Sequence, residues 1–216
     1  IIFIITKQIE FYAILMAYAI IHELGHLLCG VFLRLKPETF SITPFGLQIS
    51  FKPEISLYNS KVKNGTRICV KKMLLAFAGP LTNFIIATIM IAIAQINIDL
   101  QYTYMFSLIV YSNLLIAMFN LIPIYPMDGG RVVKEILSII FGKKKAYKIT
   151  YMISKTVLIL LTAAASIAIL YIHNIAILII IAYLWYLEIA EIRKYNRRIY
   201  RKSTDSSQST VPAHCS

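Results

Sequence analysis

The sequence predicts an all-α polytopic membrane protein with a small β-hairpin or sheet at its cytoplasmic face. Three observations lead there. The 216 residues are 58% hydrophobic and only 15% charged, with a mean hydropathy of +0.71, far from the balance of a soluble domain. The apolar residues fall in five long continuous runs, where a barrel strand would alternate every second residue. Lysine and arginine are confined to alternate loops. Helices suit this pattern because each satisfies its own backbone where lipid offers no partner.

The elements follow in order. Ile1 to Thr6 is apolar but too short to span, and the chain starts with Ile, so a preceding helix is expected to be missing or truncated. No basic segment with a small-residue cleavage site precedes the first span, which argues against a signal peptide. The spans are expected at about 9–33, 73–96, 104–125, 153–172 and 175–192. Between the first two, TFSITPFGLQISF (Thr39 to Phe51) reads as two short strands joined at Pro44, Phe45 and Gly46. Gly79 and Pro80 are read as opening the second span, since proline is tolerated in a first helical turn. Pro123, Pro126, Gly129 and Gly130 must break the third near its end, and irregular backbone at membrane depth has to be buried or line a wet cavity. Residues 1–200 then make one domain. Residues 201–216, rich in Ser and Thr from Thr204, are expected to be a disordered cytoplasmic tail.

A formal net charge of +12 could suggest nucleic acid, but its placement excludes that reading. Of 22 basic residues, one is Lys7, eight lie from Arg34 to Lys72, seven from Arg131 to Lys155 and six from Arg193 to Lys202; the turns at 97–103 and 173–174 have none. The positive-inside rule makes the basic loops cytoplasmic, so the first complete helix runs inward and the C-terminus is cytoplasmic. The same loops would attract anionic lipid headgroups. Cys29, Cys69 and Cys215 lack CxxC spacing and suggest neither a disulfide framework nor a cysteine metal site.

The chemistry lies in His22-Glu23-Leu24-Gly25-His26. On a helix, residues four apart share a face, so both imidazoles can bind one metal while Glu23, about 100° round the axis, stands beside it as a base. A charged side chain at mid-bilayer costs at least roughly 2.5–3.5 kcal/mol, so such a cluster calls for a compensating partner. Catalytic zinc usually has three protein ligands. His173 sits in an outer turn and His214 in the tail, whereas Asp128 shares the depth of His26, about seven residues or roughly 10 Å from the cytoplasmic end of the first span. The plainer reading of Asp128 is a solvated loop carboxylate.

HELGH at 22–26, together with Asn120, Pro123, Asp128 and Gly129 in NLIPIYPMDGG, resembles the paired HExxH and NxxPxxxxDG motifs of the site-2 protease family, intramembrane zinc metalloproteases of peptidase family M50. PFG at 44–46, AGPLTN at 78–83 and the basic stretch after Glu188 are similar to its sporulation branch, the likeness covering about 9–200. The resemblance implies a site-2 protease core with one zinc ion per chain, held by His22, His26 and Asp128, and Glu23 as catalytic base. Asn120 is implied in substrate positioning or as an oxyanion donor, against a helix–helix hydrogen bond; Asn83 and Asn113 are read first as such bonds. It further implies a substrate like the pro-sigma-K precursor of a late mother-cell sigma factor, inhibition by small membrane proteins, and residence in the mother-cell membrane around the forespore. The nucleotide-binding regulatory domain of Bacillus-type members has no counterpart in the sequence, so ATP sensing is not carried over.

Two other classes use similar residues. A zinc or proton transporter would show paired half-repeats or polar groups strung along a pathway, whereas these converge at one depth. A catalytically silent membrane scaffold would have no use for Glu23.

Overall fold

The computed structural model describes residues 9–43, 46–52, 63–96, 104–172 and 175–208, with side-chain surroundings for most of the helices. The elements are α1 (Ile9–Phe32), β1 (Lys36–Thr43), β2 (Gly46–Lys52), α2 (Lys63–Ile96), α3 (Tyr104–Leu121), α4 (Asp128–Phe141), α5 (Lys143–Ile172) and α6 (Ile175–Gln208). The backbones of β1 and β2 run antiparallel, with Phe40 opposite Ile49 and Ile42 opposite Leu47. The chain divides into two compact units, Ile1–Met152 and Ile153–Ser216, where the sequence predicts one domain over 1–200; the division falls within α5.

Among the described residues, four helices are long and apolar enough to cross a membrane: Ile9–Phe32, Gly65–Ile96, Tyr104–Leu121 and Lys145–Ile169. This is a multi-pass membrane protein. The fifth expected span, 175–192, lies on α6, whose side-chain surroundings are described for 177–193. Two helices begin earlier than the apolar runs suggest, α2 at Lys63 and α5 at Lys143. Hydropathy marks where a helix is greasy, and lysine-rich turns continue one readily because lysine is a good helix former. Lys71 Nζ, on that basic extension, donates to Leu33 O at 2.9 Å. It thus supplies a partner for a carbonyl just past the end of α1, where the intrahelical ladder has run out.

Two further expectations are corrected. Pro80 does not open α2 but lies deep inside it. It cannot donate to Ala76, so the helix loses a rung there. Residues 201–208 of the expected disordered tail are helical as the end of α6, since no Gly or Pro interrupts the basic run before Pro212; residues 209–216, the apolar stretch Ile1 to Thr6 and His173 lie outside the described residues.

Within the first unit α2 is central, packing against α1, α3 and α4. Burial is the inverse of a soluble domain. His22, His26, Asn83, Ser112, Asn113 and Asp128 are buried, while Leu28, Phe32 and Ile96 point outward with 71%, 87% and 89% of their surface exposed. Polar groups gathered inside and apolar side chains outside are what a bilayer imposes. In the second unit, Trp185 Nε1 donates to Thr162 Oγ1 at 3.1 Å.

α3 ends at Leu121, and the chain turns through residues 122–127 before α4 starts. Ile124 N and Met127 N donate to Ile122 O and Ile124 O at 2.7 and 2.8 Å, satisfying backbone groups within the break. A Cβ on Gly129 would collide with Leu121 O, so only glycine lets α4 begin this close to the end of α3. That close return places Asp128, the first residue of α4, against α1.

Candidate metal centre

His22 and His26 lie one turn apart on α1, their rings edge to face with centroids 4.8 Å apart. Asp128 Oδ2 is 3.1 Å from His22 Nε2 and 3.0 Å from His26 Nε2, and the two Nε2 atoms are 3.2 Å apart. Three electron-pair donors from two elements thus form a nearly equilateral triangle. Their far sides are anchored as well: His22 Nδ1 meets Asn83 Oδ1 and His26 Nδ1 meets Leu75 O, each at 2.7 Å. Both oxygens can only accept, so each ring carries its hydrogen on Nδ1 and turns a bare Nε2 lone pair toward the triangle.

Three lone pairs face one another with no ring hydrogen between them, an arrangement that calls for a cation. Two ligands of a tetrahedral zinc ion stand roughly 3.3 Å apart, given metal–ligand distances of about 2.0–2.1 Å. The triangle is within a few tenths of an ångström of that spacing. Imidazole and carboxylate suit zinc, and imidazole rings fixed from behind by a carbonyl or amide oxygen are the usual support for it. The residues present fit the ion.

The electrostatics agree. Asp128 is 5% exposed. Burial works to raise its carboxyl, while the positive charge of Arg131 favours the ionised form. The Arg131 guanidinium stands 3.6 Å from the other carboxylate oxygen, Oδ1. Asp128 therefore presents a negative oxygen to the triangle while its second oxygen is balanced from outside.

Glu23 is half-buried, and one of its carboxylate oxygens lies within 4.8 Å of ring nitrogens of His22 and His26. Asp128 is the nearer carboxylate and touches both imidazoles, while Glu23 stands to the side. Asn120 donates its amide to Ile116 O, one turn back in α3, at 3.0 Å; it takes no part in the hydrogen bonds that join His22, His26 and Asp128.

Some contributors go beyond the sequence reading. A Cβ on Gly79 would lie 2.6 Å from His22 Nε2 and collide with His26 Nε2, so α2 presents bare backbone to the space where the lone pairs converge. Asn83, expected to bond a neighbouring helix, does so with Asn113 but also holds His22. The available signal was spacing: Gly79 and Asn83 lie four apart, on one face of α2. Arg131 carried no signal, being one of seven basic residues in its stretch.

Comparison with known proteins agrees with this geometry. The family model for peptidase family M50 matches residues 90–164. The chain is 31% identical over 153 residues to a zinc metalloprotease of Methanocaldococcus jannaschii, covering 69% of this chain and 41% of that protein. It is 26% identical over 144 residues to the stage IV sporulation protein FB of Bacillus subtilis, covering 67% of this chain and 44% of the relative. It therefore spans less than half the length of these curated relatives. Among solved structures, the site-2 protease from Methanocaldococcus jannaschii superposes with a TM-score of 0.57 at 27% identity, over 83% of this chain and 76% of that one. With the HExxH helix, the Asp128 turn and a zinc-compatible donor triangle in one helical core, the chain belongs to peptidase family M50 and has the fold of the site-2 proteases.

Proposed function

We propose that this protein is an intramembrane zinc metalloprotease that hydrolyses a peptide bond of a membrane-associated precursor near the cytoplasmic face. The observation that carries the proposal is the triangle of His22 Nε2, His26 Nε2 and Asp128 Oδ2 at 3.0–3.2 Å, with Glu23 beside it. In this reading His22, His26 and Asp128 are the protein ligands. Bound zinc supplies Lewis acidity, which brings the pKa of a water toward 7 and polarises a peptide carbonyl.

The chain's own residues do the rest. Glu23 accepts the proton of the attacking water and later delivers it to the leaving amine, its carboxylate close to the centre without being held in the triangle. Arg131, on Asp128 Oδ1, keeps that carboxylate ionised and turned inward. His22, His26 and Asp128 are buried, and the lower dielectric there strengthens each of these interactions relative to water. Asn120 is proposed to position the substrate through its Oδ1, or the developing oxyanion through the second hydrogen of Nδ2, the first being given to Ile116 O.

The finer reading concerns substrate and setting. The likeness to the stage IV sporulation protein FB supports a sigma factor precursor of the pro-sigma-K type as substrate, with small inhibitory membrane proteins as partners and the mother-cell membrane around the forespore as location. A precursor lying on the basic membrane face would reach a site near the inner end of α1.

The test compares the purified wild-type protein with Glu23→Gln. Wild type should bind about one zinc per chain, cleave a co-expressed precursor, lose cleavage to a chelator and regain it with zinc. Glu23→Gln should keep its zinc and lose turnover by on the order of 10²-fold or more. Undiminished cleavage in that variant would sink the protease mechanism, whereas zinc uptake into sealed vesicles without cleavage would favour the transporter.

A further inference from the structure

We propose that Asn83 and Asn113 form a two-amide relay that fixes His22 in the one tautomer able to bind a metal, which makes both of them positioning residues of the centre. The proposal rests on the metal-centre reading above and deepens it.

The relay is read from its anchored end. Asn113 Nδ2 donates to Ile109 O, a helix carbonyl, at 2.9 Å. A carbonyl can only accept, so the amide of Asn113 must present nitrogen to it and oxygen to the other side. That oxygen, Oδ1, accepts from Asn83 Nδ2 at 2.9 Å. Asn83 must therefore present its own Oδ1 to His22 Nδ1, 2.7 Å away. An oxygen there demands a hydrogen on Nδ1 and leaves Nε2 bare, facing His26 and Asp128. Each step follows from the one before, and the sequence of choices begins at a group with no freedom to turn.

Both asparagines are fully buried, so water cannot substitute for a missing partner. An asparagine amide offers oxygen on one side and nitrogen on the other. Were Asn83 to flip, it would present N–H to His22, favour hydrogen on Nε2 and cap the lone pair the ion requires. What opposes the flip is Asn113, whose oxygen would then face the oxygen of Asn83. His26 needs no such device, because Leu75 O holds its Nδ1 directly. The two ligands thus reach the same tautomer by different routes, one anchored on α2 backbone and the other passing through α2 to α3.

A bond that merely glued α2 to α3 would also join Asn83 to Asn113. The two roles separate on the state of His22. The test therefore includes ¹⁵N NMR of the ring nitrogens in zinc-free protein at a pH where the imidazoles are neutral, with zinc affinity from chelator competition as the second readout. In wild type both His22 and His26 should be Nδ1–H tautomers. Asn113→Leu, with the same number of side-chain heavy atoms, should give a mixture of tautomers at His22 alone and weaken zinc binding in proportion to the Nδ1–H fraction lost, by about a few-fold. Asn83→Leu removes the outer partner of His22 itself and should weaken zinc binding by about 10- to 100-fold, while Asn83→Asp keeps an acceptor against Nδ1 and should bind zinc within a few-fold of wild type.

An unchanged His22 tautomer and unchanged affinity in folded Asn113→Leu would overturn the relay. If that variant does not fold, the Asn83 pair decides: equal loss of zinc in Asn83→Leu and Asn83→Asp would mean packing, not the acceptor, and would overturn it as well. Because the tautomer is read without zinc, a wild-type protein with ordered tautomers that binds no zinc would refute the metal-centre reading and leave the relay standing.

Discussion

At the scale of single residues, the centre tolerates little because it is built from contacts of about 3 Å. Gly79→Ala is the sharpest case. Its methyl group would occupy the space on which His22 Nε2 and His26 Nε2 converge, so zinc content by atomic absorption should fall steeply while circular dichroism still reports a helical protein. Asp128→Asn keeps the shape but removes the negative oxygen, and its zinc affinity should drop by more than the roughly 10–100-fold typical of an outer-shell change. The HExxH residues were legible in the sequence because their geometry is set inside one helix: a spacing of four fixes which face they share. Asn83 was legible only as a polar residue in an apolar helix. Which neighbour it meets depends on how α2 is rotated against α1, and rotation is decided by packing over the whole helix face. Arg131 was hidden for a similar reason, since only the fold-back of α4 shows which basic residue lies beside Asp128.

Among the elements, the turn between α3 and α4 determines whether Asp128 reaches the histidines at all. Gly129→Ala would drive a methyl group into Leu121 O and should destabilise the protein by about 1–3 kcal/mol, the range for overpacking. Thermal unfolding in detergent micelles would show the lower midpoint, and zinc would be lost along with it. The four prolines and glycines at 123, 126, 129 and 130 announced this break, because none of them continues a helix at low cost. The starts of α2 and α5 were not legible to the same degree. An apolar run ends where lysines begin, but backbone hydrogen bonding continues through lysine, so the helices reach back to Lys63 and Lys143. Pro80 misled for the opposite reason. It resembles a helix start, yet within a bundle the packing of neighbouring helices lets a helix continue through a proline, at the loss here of the one rung to Ala76 O.

For the molecule as a whole, the distribution of 22 basic residues carries a prediction about orientation. In a background with the three native cysteines replaced by alanine, a cysteine at Lys145 should react with a membrane-impermeant thiol reagent only after the cytoplasmic side is opened, and one at Asn97 should react in intact cells. The reverse pattern would contradict the positive-inside reading and place the centre near the outer surface. Membrane residence was legible from composition because a bilayer demands so much apolar length; the division at Met152 was not, since it falls inside a continuous helix. One feature of the triangle also bears on how the protein is made. His22 and Asp128 are separated by 106 positions in the chain, and at about 5–20 residues per second the ribosome needs roughly 5–20 s to deliver the second after the first. During that interval α1 is already in the bilayer with two histidines and no aspartate. The three donors of the triangle can therefore come together only once the chain through Asp128 has been made, so the centre belongs to the finished fold and not to the HExxH helix alone.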